Sequence, residues 1–151
     1  MTQEEIKDIF RKLAEPMPVK WRVGPKIGSR LSVLAYLDAR MVQQRLDDIV
    51  GPENWANVYD SETGTATISI FINGEWVSKT DVGTESKVDK EKGKASDSFK
   101  RAAVLWGVGR FIYTDPKYSG KMLPLDQSGK YPTTADGKKI LYNGEQITLY
   151  M

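Results

Sequence analysis

Two neighbouring cations, Lys100 and Arg101, stand inside KGKASDSFKRAAVLWGVGRFIY, residues 92 to 113, which is almost entirely apolar from Phe99 onward apart from them. Ser96 or Ser98 is a natural N-cap, so the spacing predicts a helix that opens there and carries both cations within or just after its first turn. A helix dipole disfavours cations at that end, which leaves a negative ligand to account for the pair. Lys87, Lys90, Lys92 and Lys94 lie just upstream. Together these side chains would make a concentrated anion site of the sort that holds phosphate. The alternative is a pair of surface side chains snorkelling from a core helix. Glu85, Asp89, Glu91 and Asp97 dilute the lysine run, so the loop alone also reads as a solvated face.

A second constellation is Asp81 followed by Glu85-Ser86-Lys87, an acid and then E-x-K, a set that could hold a divalent ion and activate water in a nuclease. Its spacing is tight, and carboxylates followed by lysines are ordinary on polar loops. Nucleotide motifs find no support. The pair Gly93-Lys94 has Val88 where a Walker A motif needs its first glycine and Ala95 where it needs Ser or Thr. Gly107 and Gly109 in WGVG lack a third glycine and a preceding strand, so they read as close helix packing or a helix end. The chain contains neither histidine nor cysteine. That removes Ser-His and Cys-His triads, imidazole bases, thiolate metal sites and disulfides together. No cofactor is implied, and the chain does not read as an enzyme.

The elements that must position these residues follow from periodicity. Ile6, Ile9, Phe10 and Leu13 recur at helical spacing, predicting an amphipathic helix over 2–15 ended by Pro16. VKWRV and RLSVLAYL read as strands around a Gly-rich turn, GPKIGS. Asp38 caps a helix whose Val42, Leu46 and Ile49 face inward until Gly51-Pro52. From Trp55 the period becomes two, and WANVYD, TATISIFI and EWVSKTDV form a three-stranded meander through a SETG turn and Asn73-Gly74. The long helix then completes a β-β-β-α core. On a helical wheel it is apolar nearly all round, with Leu105, Trp106, Ile112 and Tyr113 in one arc, so burial on most sides, as by a neighbouring subunit, is expected. Residues 114–138 form a long irregular segment and 139–151 a C-terminal Asn-Gly hairpin. The fold class is α+β, with the whole of 1–151 as one domain.

Of the four tryptophans, Trp55, Trp76 and Trp106 fit core faces, whereas Trp21 beside Arg22 fits either the core or a base-stacking role. The charge balance, 22 Lys and Arg against 20 Asp and Glu, gives only +2, so an electrostatic partner must be drawn by a local patch. No long apolar run suggests a membrane span or signal peptide, and the sequence reads as a soluble cytoplasmic protein.

Three blocks in this order carry a family resemblance. YLDARMVQQRLDDIVGPENWANVY, the meander closing in TDVGTES, and SDSFKRAAVLWGVGRFIY resemble the Rad-fifty-two type single-strand annealing proteins, a group that includes phage Sak proteins and bacterial DdrA relatives. The resemblance spans roughly residues 19 to 115. It implies a β-β-β-α core assembled into rings or helical oligomers, with single-stranded DNA in a positively charged outer groove. Phosphates would be held inward and bases left exposed, so that complementary strands pair without ATP in recombination or repair. Lys100 and Arg101 match the family's groove pair and Arg22 a further groove arginine, across a turn of different length. The loop bearing Lys87, Lys92 and Lys94 sits where the family carries part of a second DNA contact, in shorter form. The implied setting is a bacterial or phage-infected cell, with the chain itself and a single-strand-binding protein as partners.

Overall fold

Asp38 lies just before an apolar 3.6-residue repeat, and its carboxylate accepts the Met41 N–H at 2.9 Å, opening a helix as its sequence demands. The computed structural model describes residues 1–85, 90–118, 122–125, 127–128, 133, 142–143 and 146–147. Within them it is mixed α+β with antiparallel sheets. Two compact units divide the chain: Met1–Met17 with Leu37–Phe111, and Pro18–Tyr36 with Ile112–Met151.

In the first unit, α1 (Gln3–Ala14) packs on α2 (Ala39–Val50), burying Leu13, Val42 and Leu46. Strands β3 (Trp55–Asp60), β4 (Thr65–Ile72) and β5 (Glu75–Val82) form the expected meander. Asn73 and Gly74 have φ of 53° and 83°, the two positive values that a tight primed turn requires and that this residue pair adopts readily. Alternation along β4 sends Ala66, Ile68, Ile70 and Ile72 to one face, where α3 (Lys90–Leu105) covers them.

Helix α3 starts earlier than its composition suggests. Neither Ser96 nor Ser98 is its N-cap, and Lys100 and Arg101 lie past its midpoint instead of in its first turn. The polar residues from Lys90 to Asp97 are helical because the sheet holds this turn of helix from below. Buried Ser98 donates to Gly64 O at 2.7 Å and accepts the Gly83 N–H at 2.9 Å, while Asp97 accepts the Thr84 N–H at 2.8 Å. A cap residue is thus spent as a mid-helix clamp on two strand ends.

The helix stops at Leu105 because Gly107 and Gly109 take φ of 101° and 82°, so WGVG is a helix end. A short α4 (Phe111–Thr114) follows. The break removes Leu105 and Tyr113 from the apolar arc expected of one continuous helix, and they are 38% and 58% exposed. Trp106 is buried, donates from Nε1 to Ile68 O at 3.1 Å and stacks on Phe10 at 5.9 Å.

In the second unit, β1 (Lys20–Ile27) and β2 (Arg30–Tyr36) pair with a one-residue slip between Val23 and Lys26. GPKIGS is therefore not one loop. Gly24-Pro25 forms a bulge, where Pro25 has no N–H to give the ladder, and only the residues after Ile27 turn the chain. β2 pairs with β6 (Met122–Pro124), and β1 with β8 (Gln146–Ile147), which pairs in turn with β7 (Tyr142–Asn143). Part of the segment expected to be irregular is thus sheet. Trp21 and Val33 form the core here, with Val23, Ala35, Tyr118 and Leu123 around them.

Candidate nucleic-acid interface

A helix turns 100° per residue, so the cations of α3 do not make one cluster. Lys90, Lys94, Asp97 and Arg101, at i, i+4, i+7 and i+11, form one stripe. Lys92, Ser96 and Lys100, at i, i+4 and i+8, form another. The first stripe lies off the buried face of Ser98, Phe99, Ala102 and Ala103, whereas Lys92 and Ser96 stand on the line of Phe99 and Ala103, nearer the start of the helix, and Lys100 borders it. Lys100 and Arg101 are each half-buried, and the Arg101 guanidinium lies 3.8 Å from the Asp97 carboxylate. Lys94 lies across the β3–β4 turn, the end of its side chain against Gly64. Lys87 lies outside the described residues.

The more concentrated positive surface is in the second unit. Cross-strand pairing places Lys20 opposite Tyr36, Arg22 opposite Leu34, and Ile27 opposite Arg30, on the side of the sheet away from Trp21 and Val33. Arg22 and Arg30 are exposed and Lys20 is half-buried. The Arg22 guanidinium sits 5.7 Å from the Tyr36 ring centre, an arrangement in which a cation and an aromatic share one face. Exposed Lys26 adds charge at the far end of the hairpin. Residues 18–36 contain no Asp or Glu. The whole second unit holds nine Lys and Arg against four Asp and Glu, or +5, while the first holds thirteen against sixteen, or −3; together they make the chain's +2. Lys20, Lys26 and Arg30 were not singled out from the sequence, although the acid-free run around Arg22 was there to be read.

Several other cations serve the fold. Arg45 donates from Nη1 to Lys12 O, Leu13 O and Glu15 O at 2.9, 3.3 and 2.8 Å, closing the C-terminus of α1. Arg110 donates to Val104 O and Leu105 O, and Lys79 reaches Leu105 O at 3.3 Å while lying 4.6 Å over the Trp106 ring. Among the described residues no three carboxylates gather where one ion would meet them, and this includes Asp81 and Glu85. Also among them, no helix is long and apolar enough to cross a membrane.

Trp21 is 6% exposed, so its place is the core and not base stacking. Trp76 reverses expectation, being 53% exposed. Trp55 is half-buried, its Nε1 donating to Asp47 Oδ1 at 2.7 Å.

No family model matches the chain, and no solved structure matches it. Two curated proteins do, each named single-stranded DNA-binding protein DdrA. The protein from Deinococcus deserti is 36% identical over 122 residues, covering 75% of this chain and 60% of its own length. That from Deinococcus radiodurans is 32% identical over 122 residues, covering 75% and 58%. Over three quarters of its length the chain is therefore similar to bacterial proteins named for binding single-stranded DNA, of which it spans 58–60%.

Proposed function

We propose that this chain binds single-stranded DNA by its phosphates and promotes ATP-independent annealing of complementary strands in recombination or repair. The observation that carries the binding is charge segregation: a +5 unit whose sheet face away from Trp21 and Val33 carries Lys20 and Arg22 beside Tyr36 and Arg30 at the other end of the hairpin. Cations fixed on a sheet neutralise phosphates without regard to sequence, and the adjoining ring offers a face to a base. Lys100, Arg101, Lys92 and Lys94 on α3, with Lys87, are further candidate contacts. The similarity to proteins named for single-stranded DNA binding supports the same chemistry.

Annealing is the finer step and rests on the Rad-fifty-two type resemblance. Holding phosphates while leaving bases open requires no proton transfer and no nucleotide, which suits a chain without histidine. In this reading a homo-oligomeric ring or filament extends the groove, and a single-strand-binding protein is the partner that hands over the strand. A second reading, coating or protection of DNA ends without annealing, is favoured by the relatives' names, which state binding alone.

Pairing of two complementary fluorescent oligonucleotides, followed with and without the protein in the absence of ATP, tests the proposal, with magnesium as a variable. Faster pairing of intact strands is expected. Binding without acceleration would select end protection, and shortening of strands only with magnesium would select a nuclease built on Asp81, Glu85 and Lys87.

A further inference from the structure

The face of the β3–β4–β5 sheet turned away from Ile68 and Ile70 combines aromatic rings with hydroxyl groups. Phe71 and Trp76 are cross-strand partners with centroids 5.4 Å apart and planes tilted by 55°, and they are 41% and 53% exposed. The next rows are hydroxyl pairs, Ser69 with Ser78 at 2.7 Å and Thr67 with Thr80 at 2.8 Å. Exposed Val58 and Val82 flank them.

Two hydroxyls that share one hydrogen bond still have one O–H to donate and lone pairs to spare. A purely apolar partner would bury those groups unsatisfied. The face therefore suits a ligand that is flat and apolar on its surfaces and polar along its edges, as a nucleobase is. Charge points the same way. The unit carries sixteen Asp and Glu, yet along the open face of these strands, from Ala56 to Val82, only Asp60 is charged. A polyanion meets little repulsion there.

We infer that Phe71 and Trp76 form a stacking platform for bases of a single strand, with the Ser69–Ser78 and Thr67–Thr80 hydroxyls meeting base edges. The inference rests on the chain being a single-strand binder, and it deepens the coating or end-protection reading, in which bases need not stay open to a complementary strand.

Trp76 provides its own readout. Trp21 and Trp106 are 6% and 2% exposed and Trp55 is half-buried, so emission open to iodide quenching belongs chiefly to Trp76. The experiment follows intrinsic fluorescence and the anisotropy of a labelled strand together, using oligo-dT and an abasic strand of equal length. Oligo-dT is expected to shield Trp76 from iodide and the abasic strand is not. Trp76→Ala should weaken oligo-dT binding by about 5-fold to 100-fold, with abasic binding unchanged and Trp76→Phe near wild type. Anisotropy showing binding while Trp76 stays open to iodide would overturn the platform and leave the phosphate reading standing. No binding of either strand would overturn both. Shielding that grows with protein concentration alone would assign the face to a second copy and overturn the platform too.

Discussion

Neutralising Lys20, Arg22 and Arg30 together, as Lys20→Gln, Arg22→Gln and Arg30→Gln, isolates the charge of the β1–β2 face from its packing. Arg22 and Arg30 are exposed, and glutamine keeps enough stem to cover Tyr36 and Leu34, so the Trp21–Val33 core on the other side is untouched. Each phosphate contact to a single strand contributes about 0.7 to the slope of log affinity against log salt, so three contacts contribute about 2. Between about 50 and 200 mM salt the wild type should then lose about 20-fold more affinity than the variant. The assay is anisotropy of labelled oligo-dT at several salt concentrations. Lys100→Ala and Arg101→Ala should each lower the slope by up to about one unit for all sequences alike. The effect at Arg101 should be the smaller, because Asp97 already offsets part of its charge at 3.8 Å. A slope unchanged in the triple variant would refute the role of this face. A slope unchanged in both sets would refute phosphate binding by these residues altogether.

Ser98→Ala removes a donor to Gly64 O and an acceptor for the Gly83 N–H at a fully buried site, so denaturant melts should show a loss of about 2–4 kcal/mol. Arg45→Ala should cost about 1–3 kcal/mol and fray α1 first, visible as lost hydrogen-exchange protection near Lys12 to Glu15, because three carbonyls lose one cation. Desolvation first, and then the negative charges of Glu91, Asp60 and Glu85, raise the ionisation of the Tyr59 hydroxyl above its ordinary 10.0. The folded state then holds that proton after the unfolded chain has lost it, so this contribution is intact below pH 10.0 and declines as pH rises further. Tyr59→Phe should remove that alkaline decline in melts across pH while leaving neutral stability unchanged or higher.

Local rules carried much of the fold into the sequence. The Asp38 cap, the Pro16 stop, the Asn73-Gly74 turn and the alternation of β4 each depend on neighbours within a few residues, and all appear where expected. The start of α3 was hidden because its cause is distant: Gly83 seats against the backbone of Asp97 and Ser98 so closely that a Cβ would strike it, and Ser98 ties in Gly64. By composition alone Lys90 to Asp97 reads as a loop. Trp76 was misread although parity contained the answer. It shares its face with Ser78 and Thr80, the solvent side of β5, whereas the half-buried Val77 and Lys79 share the other.

Whole-chain charge was the other misleading quantity. A net +2 argues weakly for a polyanion partner, but the sum hides −3 and +5 on two separately packed units. Exposed charges act over about a Debye length, near 10 Å at moderate salt, so a strand responds to the face it approaches and not to the chain's total. Within the first unit several cations are already committed: Arg45 and Arg110 to helix carbonyls, Lys79 to a carbonyl and an indole ring, Arg101 partly to Asp97. On the acid-free β1–β2 hairpin, Arg22 meets Tyr36 on the face away from the Trp21–Val33 core and not inward. Phosphate binding should therefore follow the second unit's charge, and this makes the triple neutralisation on β1 and β2 a more severe test than any change on α3.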